Sequence, residues 1–122
     1  MKPPVEHVRV SAKGRDILIK VKRNTGLEHW NEICRIALCR SLANPNPLPK
    51  WTKVPDSNID IEWKTFAGQF QKELAALTIM RAKKDGIDFS KKEIVADFFR
   101  NHIERGIQSM QQIKNLLDLY KL

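Results

Sequence analysis

Lys13, Arg15, Lys20, Lys22 and Arg23 fall within eleven residues of one another. Read as a helix over 12–24, this stretch puts Gly14, Ile17, Leu18 and Val21 on one stripe, the spacing of a face that turns towards a core. Arg15, Lys22 and Arg23 take the opposite side, with Lys13 and Lys20 on its flank. Cations at this density perform one kind of chemistry without a catalytic partner: they hold the phosphates of a polyanion through charge-assisted hydrogen bonds. Just ahead, in VEHVRV, alternation sends Val5, His7 and Arg9 to one face and Val8 and Val10 to the other. His7 and Arg9 therefore point together. Ile19 departs from the pattern, because its angle sets an apolar side chain among the cations; it hints at a second contact surface.

Other chemistry is hard to assemble. The chain has no Walker-type glycine-rich loop, no H-E-x-x-H, no C-x-x-C and no G-x-S-x-G. His7, His29 and His102 are scattered over three predicted elements. Asp60 and Glu62 lie two apart on a predicted strand, where a solvated edge explains them better than a metal site. No catalytic residue, metal or other cofactor is expected. Cys34 and Cys39, five apart in one predicted helix, are turned about 140° from each other, so they neither share a metal nor close an easy disulfide. Two buried thiols in a reducing compartment are the preferred reading. A persulfide carrier would need an exposed thiolate in an electropositive setting, for which only Arg35 and Arg40 speak.

Composition agrees with a polyanionic partner. The 122 residues suit one domain, 1–122, with a single modest core. The net charge is +8, and residues 1–43 hold nine Lys/Arg against four Asp/Glu. A merely solvated basic surface is the competing explanation, and the clustering weighs against it. No apolar run approaches the roughly twenty residues that cross a bilayer, and the N-terminus lacks the apolar core of a signal peptide. A cytoplasmic location with no membrane partner is expected.

The elements that must position the cations follow from local signals. Ser11 is a good N-cap for the basic helix. Thr25-Gly26 ends it, and Thr25-Gly26-Leu27-Glu28 fits a capping box for a second helix over 28–42. There Trp30, Ile33, Cys34, Ala37, Leu38 and Ser41 recur at helical spacing, while Ile36, Cys39 and Leu42 widen the apolar arc, which predicts burial on more than one side. Pro45, Pro47 and Pro49 forbid helix and open a connector, 44–58, that contains a turn at Pro55-Asp56-Ser57-Asn58 and that Trp51 docks on the core.

Ile59, Ile61 and Trp63 then alternate as a short strand or extended lead-in. Phe66, Phe70, Leu74 and Leu77 predict a continuous helix that runs to Asp85, stops at Gly86 and closes with Arg81, Lys83 and Lys84 against its own dipole. Ser90-Lys91-Lys92-Glu93 is a second capping box. The heptad-like face behind it, Ala96, Phe99, Ile103, Gly106, Met110, Ile113, Leu117 and Tyr120, predicts core packing or oligomerisation through a long seam. Gly106 marks a kink or a close helix crossing. The fold class is thus mainly α: a strand-helix-helix unit over 5–43, elaborated by two or more helices in an extension over 59–122.

This order resembles the ribbon-helix-helix family of DNA-binding proteins, with NEICRIAL at 31–38 in the place of that family's second-helix signature. The resemblance implies a ribbon made from the strands of two chains, with Val5, His7 and Arg9 facing the DNA groove. Arg9 could pair with guanine, but Val5 offers only apolar contact, so base readout should be thin and phosphate contact dominant. Over a longer span, VKRNTGLEHWNEICRIALCRSLANP, IEWKTFAGQF and HIERGIQ are similar to the DndE proteins of bacterial DNA phosphorothioation systems. That resemblance implies a small DNA-binding component beside a cysteine desulfurase, an ATP-pyrophosphatase-like iron-sulfur protein and an ATPase.

Together these readings predict a non-catalytic, homo-oligomeric subunit, dimer or tetramer, that grips double-stranded DNA. Lys13, Arg15, Lys20, Lys22 and Arg23 would contact phosphates, with Arg9 and His7 at the groove. The alternatives are a ribbon-helix-helix repressor that reads an operator and a scaffold or sulfur-carrying protein that touches no DNA.

Overall fold

The alternation in VEHVRV becomes strand β1, His7–Ser11, with Val8 and Val10 buried and His7 and Arg9 exposed. The structure, a computed structural model, describes residues 2–50 and 54–120; Trp51, expected to dock the connector, lies outside them. The Ser11 hydroxyl accepts the Gly14 N–H at 2.9 Å and so caps helix α1, Ala12–Thr25. Gly14, Ile17, Leu18 and Val21 are its buried face, as the spacing predicts. Gly26 ends it with φ 78°, its N–H donating to the Lys22 carbonyl at 3.0 Å, a left-handed cap that glycine adopts without a Cβ penalty.

Helix α2, Trp30–Ala43, starts later than the expected capping box. The Thr25 hydroxyl is used inside its own turn, donating to the Val21 carbonyl at 2.7 Å and accepting the Leu27 N–H at 3.3 Å. His29 stands at the N-cap with no side-chain bond. Ile33, Cys34, Ala37, Leu38 and Ser41 form one buried face, Ile36 and Leu42 are half-buried beside it, and Cys39 is exposed. The helix is therefore buried on one broad side, and the expectation of two buried cysteines fails at Cys39.

Strand β2, Asp56–Glu62, pairs antiparallel with β1 in the register His7 with Glu62, Val8 with Ile61 and Arg9 with Asp60. The turn expected at Pro55-Asp56-Ser57-Asn58 is instead largely strand, because the pairing with β1 extends to Ser11 opposite Asp56 across an irregularity after Arg9. The ribbon is thus made within one chain. Ile59 and Ile61 bury beneath it and Trp63 beyond its end.

The single helix expected after Trp63 is broken into α3, Trp63–Ala67, a 3-10 turn, Gly68–Phe70, and α4, Gln71–Lys84. Gly68 causes the break: φ 57° and ψ −127° lie where only glycine passes freely. The offset leaves Phe66 and Leu74 buried but turns Phe70 and Leu77 out to solvent. The second capping box is also absent, since Ser90 donates its N–H and O–H to the Asp88 carboxylate and leaves helix α5, Lys92–Gln108, without a side-chain cap.

The heptad-like seam is spent inside the molecule. Helix α5 lies along α2, its Phe99, Ile103 and Ile107 joining Leu18, Ile33 and Leu38 in one core. Trp63, Phe66 and Phe99 pack with ring centroids 5.7–5.8 Å apart. The helix ends at Gln108, and a 3-10 turn, Leu116–Tyr120, leaves Leu117 and Tyr120 exposed rather than in a continued seam. Gly106 meets α2 so closely that a Cβ there would collide with the Ala37 carbonyl, which makes it the close crossing and not a kink.

Two arginines finish the C-terminal end of α2. Arg81 donates to the carbonyls of Leu42 at 3.0 Å and Asn46 at 2.7 Å, held by Asp85 at 2.9 Å. Arg105 donates to the carbonyls of Ser41 and Asn46, both at 2.8 Å, and to the Ser41 hydroxyl, which also bonds buried His102 at 2.7 Å. The last carbonyls of a helix have no internal partners, and here guanidinium groups supply them. The crossing gives a direct test: Gly106→Ala should destabilise the protein by about 3 kcal/mol or more, read as a lowered urea midpoint. An unchanged midpoint would mean the helices separate at no cost.

Candidate nucleic-acid interface

On helix α1, Lys13, Lys20 and Arg23 are exposed, while Arg15 and Lys22, expected opposite the buried stripe, are half-buried. Asp16 is the sole acid on this helix, and among the described residues none of the five cations forms an ion pair. Lys22 instead lies over the Trp30 ring, 4.8 Å from its centroid. That contact fixes the ammonium by attraction to the ring face while leaving its charge uncompensated. Ile19 is 37% exposed on this face.

His7 and Arg9 occupy a different environment. Both project from the outer face of the ribbon, but so does Asp60 of β2, which takes His7 Nδ1 at 2.7 Å and Arg9 Nε at 3.5 Å. Glu62 stands opposite His7 in the register. Val5, the third residue of the expected reading face, is half-buried against the core. The structure therefore gathers the five α1 cations on one surface and draws His7 and Arg9 into a mixed-charge cluster. Alternation alone placed Asp60 and Glu62 on one face; nothing in it showed that this face would adjoin His7 and Arg9.

The thiols are poor candidates for sulfur chemistry. Burial pushes the Cys34 pKa up to about 12, with the nearby Glu104 carboxylate adding to the shift. Cys39 is exposed at its edge, yet partial burial raises its pKa too, against the opposing pull of Arg35. A thiol held protonated is a weak nucleophile. Among the described residues, no group of His, Cys, Asp and Glu has the arrangement of a metal site, and no helix is long and apolar enough to cross a membrane.

A profile of the DndE family, described as DNA sulphur modification protein DndE, matches residues 7–118. The chain belongs to the DndE family. No curated protein matches it. The family acts in DNA phosphorothioation in a non-catalytic, accessory role, and membership ties the chain to DNA and to the other proteins of that pathway. In this chain the strand-helix-helix unit is one part of a single, mainly helical domain whose remainder covers α2.

The thiol environments predict a simple reactivity pattern. A maleimide at neutral pH should label Cys39 in the native protein, slowly for a surface thiol, and label Cys34 only after denaturation. Rapid native labelling of Cys34 would contradict the burial described above.

Proposed function

We propose that this chain grips double-stranded DNA by its phosphates and presents it, without chemistry of its own, to the enzymes of phosphorothioation. The observation that supports the reading is the cationic face of α1, where Lys13, Arg15, Lys20, Lys22 and Arg23 form no ion pair among the described residues. Arg9 and His7, engaged by Asp60, act at most at the edge of this grip. The ribbon carries Asp56, Asp60 and Glu62, so a phosphate backbone approaches α1 more readily than β2. The same acids speak against operator reading by the ribbon.

The partners in this proposal are a cysteine desulfurase, an ATP-pyrophosphatase-like iron-sulfur protein and an ATPase, in the cytoplasm. The chain itself assembles as a dimer or tetramer. Support for assembly comes from the groove between α2 and α4, about 700 Å³, lined by Ile36, Phe70, Leu74 and Leu77. Its rim carries both signs, Glu32 and Glu73 with Arg35 and Arg40, as a contact between two copies of one surface requires.

Five phosphate contacts imply that the logarithm of affinity for duplex falls with log salt at a slope of about −4 to −5, with little dependence on sequence. Lys20→Glu, Lys22→Glu and Arg23→Glu together should abolish duplex binding while leaving circular dichroism unchanged. A flat salt response, or binding that survives the reversal, would sink the proposal. Separately, Leu77→Asp should reduce the mass measured by light scattering towards that of a monomer; an unchanged oligomer would place the subunit contact elsewhere.

A further inference from the structure

Pro4 and Val5, with Ile79 of α4 and Val95 of α5, line an apolar pocket of about 410 Å³, within the roughly 300–1,000 Å³ typical of small-ligand sites. One wall is Phe89, in the turn between α4 and α5, and this ring is 45% exposed. The turn that presents it is fixed at both ends. Gly86 takes φ 73° and the Ile87 N–H reaches the Ala82 carbonyl at 2.9 Å, while Asp88 accepts both the N–H and the O–H of Ser90.

The surroundings are cationic. Lys2 and Lys92 line the pocket, Lys83 and Lys84 end α4, and Lys91 precedes α5, all five exposed. Nearby acids are largely occupied: Asp85 holds Arg81 at 2.9 Å, Asp88 holds Ser90, and Glu6 faces Lys92 at 3.6 Å. Glu93, in the first turn of α5, is exposed. Among the described residues, Lys83, Lys84 and Lys91 form no ion pair. An open aromatic wall over an apolar floor, with Lys2 and Lys92 in its lining and Lys83, Lys84 and Lys91 on the segment that carries Phe89, combines the two elements that bind unpaired nucleotides: a stacking platform and a charged track for the backbone.

We propose that this pocket takes one unpaired nucleotide of the DNA, its base stacked on Phe89 and its flanking phosphates held by Lys83, Lys84 and Lys91. The inference rests on the DNA-binding reading above and adds a second contact to it, on elements other than α1. A duplex backbone alone has no flat apolar group to fill such a pocket, whereas an unpaired base does.

Fluorescence anisotropy on the full chain, comparing a blunt duplex with the same duplex carrying a short single-stranded overhang, tests it at fixed salt. The overhang should tighten binding about tenfold, the scale of one base stacked on an aromatic ring. Phe89→Ala, and separately Lys83→Glu with Lys84→Glu, should remove most of that gain without altering affinity for the blunt duplex, while Phe89→Tyr retains it. Equal affinity for the two DNAs, or an equal loss on both from Phe89→Ala, overturns the pocket assignment and leaves duplex binding standing. Displacement of the overhang by an acidic peptide at the same charge concentration also overturns it, because the surface would then be reading charge alone. Failure of the wild-type protein to bind either DNA would overturn both proposals together.

Discussion

A five-residue strand cannot hold its backbone groups buried without a partner, and the identity of that partner decides what the N-terminal unit can do. Strand β1 pairs with β2 from the same chain. That pairing brings Ile59 and Ile61 into the core and, by the alternation of the pleat, sets Asp60 and Glu62 beside Arg9 and His7 on the outside. The mixed-charge ribbon is thus a direct consequence of the register. Helix α1, on the other side of Ser11, escapes this neutralisation, since among the described residues no acidic side chain comes within ion-pair distance of its five cations.

The C-terminal half earns its length by covering α2. Gly106 lets α5 approach to backbone contact with Ala37, and the rings of Trp63, Phe66 and Phe99 fill the corner that opens beside β2. Arg81 and Arg105 then collect the carbonyls at the end of α2 and at the start of the proline-rich connector. Two cations that might have enlarged a DNA surface are consumed as structure. Lysines that stay exposed cluster instead on α1 and at the turn between α4 and α5, with others such as Lys64 and Lys72 more scattered.

Much of this was legible in the sequence. The buried face of α1, its Ser11 cap and its Gly26 stop follow from spacing and from glycine's freedom at positive φ, and the close crossing at Gly106 was one of two readings of a glycine within an apolar seam. What could not be read depended on competition between partners. Thr25 and Ser90 each had a capping role available, but each spends its hydroxyl on a nearer group, Val21 or Asp88. The spacing of Phe66, Phe70, Leu74 and Leu77 suggested one helix, but Gly68 breaks it, which exposes Phe70 and Leu77. At the candidate interface, the α1 cations were visible as a periodic cluster, whereas the engagement of Arg9 and His7 by Asp60 spans some fifty residues of sequence and no local pattern carries it.

In the proposed grip, duplex DNA lies against α1 and not against the ribbon or the α2–α4 groove. Lysine acetylation footprinting, with and without duplex and read by mass spectrometry, tests that most directly. Protection of Lys13, Lys20 and Lys22 on DNA binding, with Lys64 and Lys72 equally reactive in both states, is the predicted result. Protection of Lys64 and Lys72 while the α1 lysines stay reactive would contradict it.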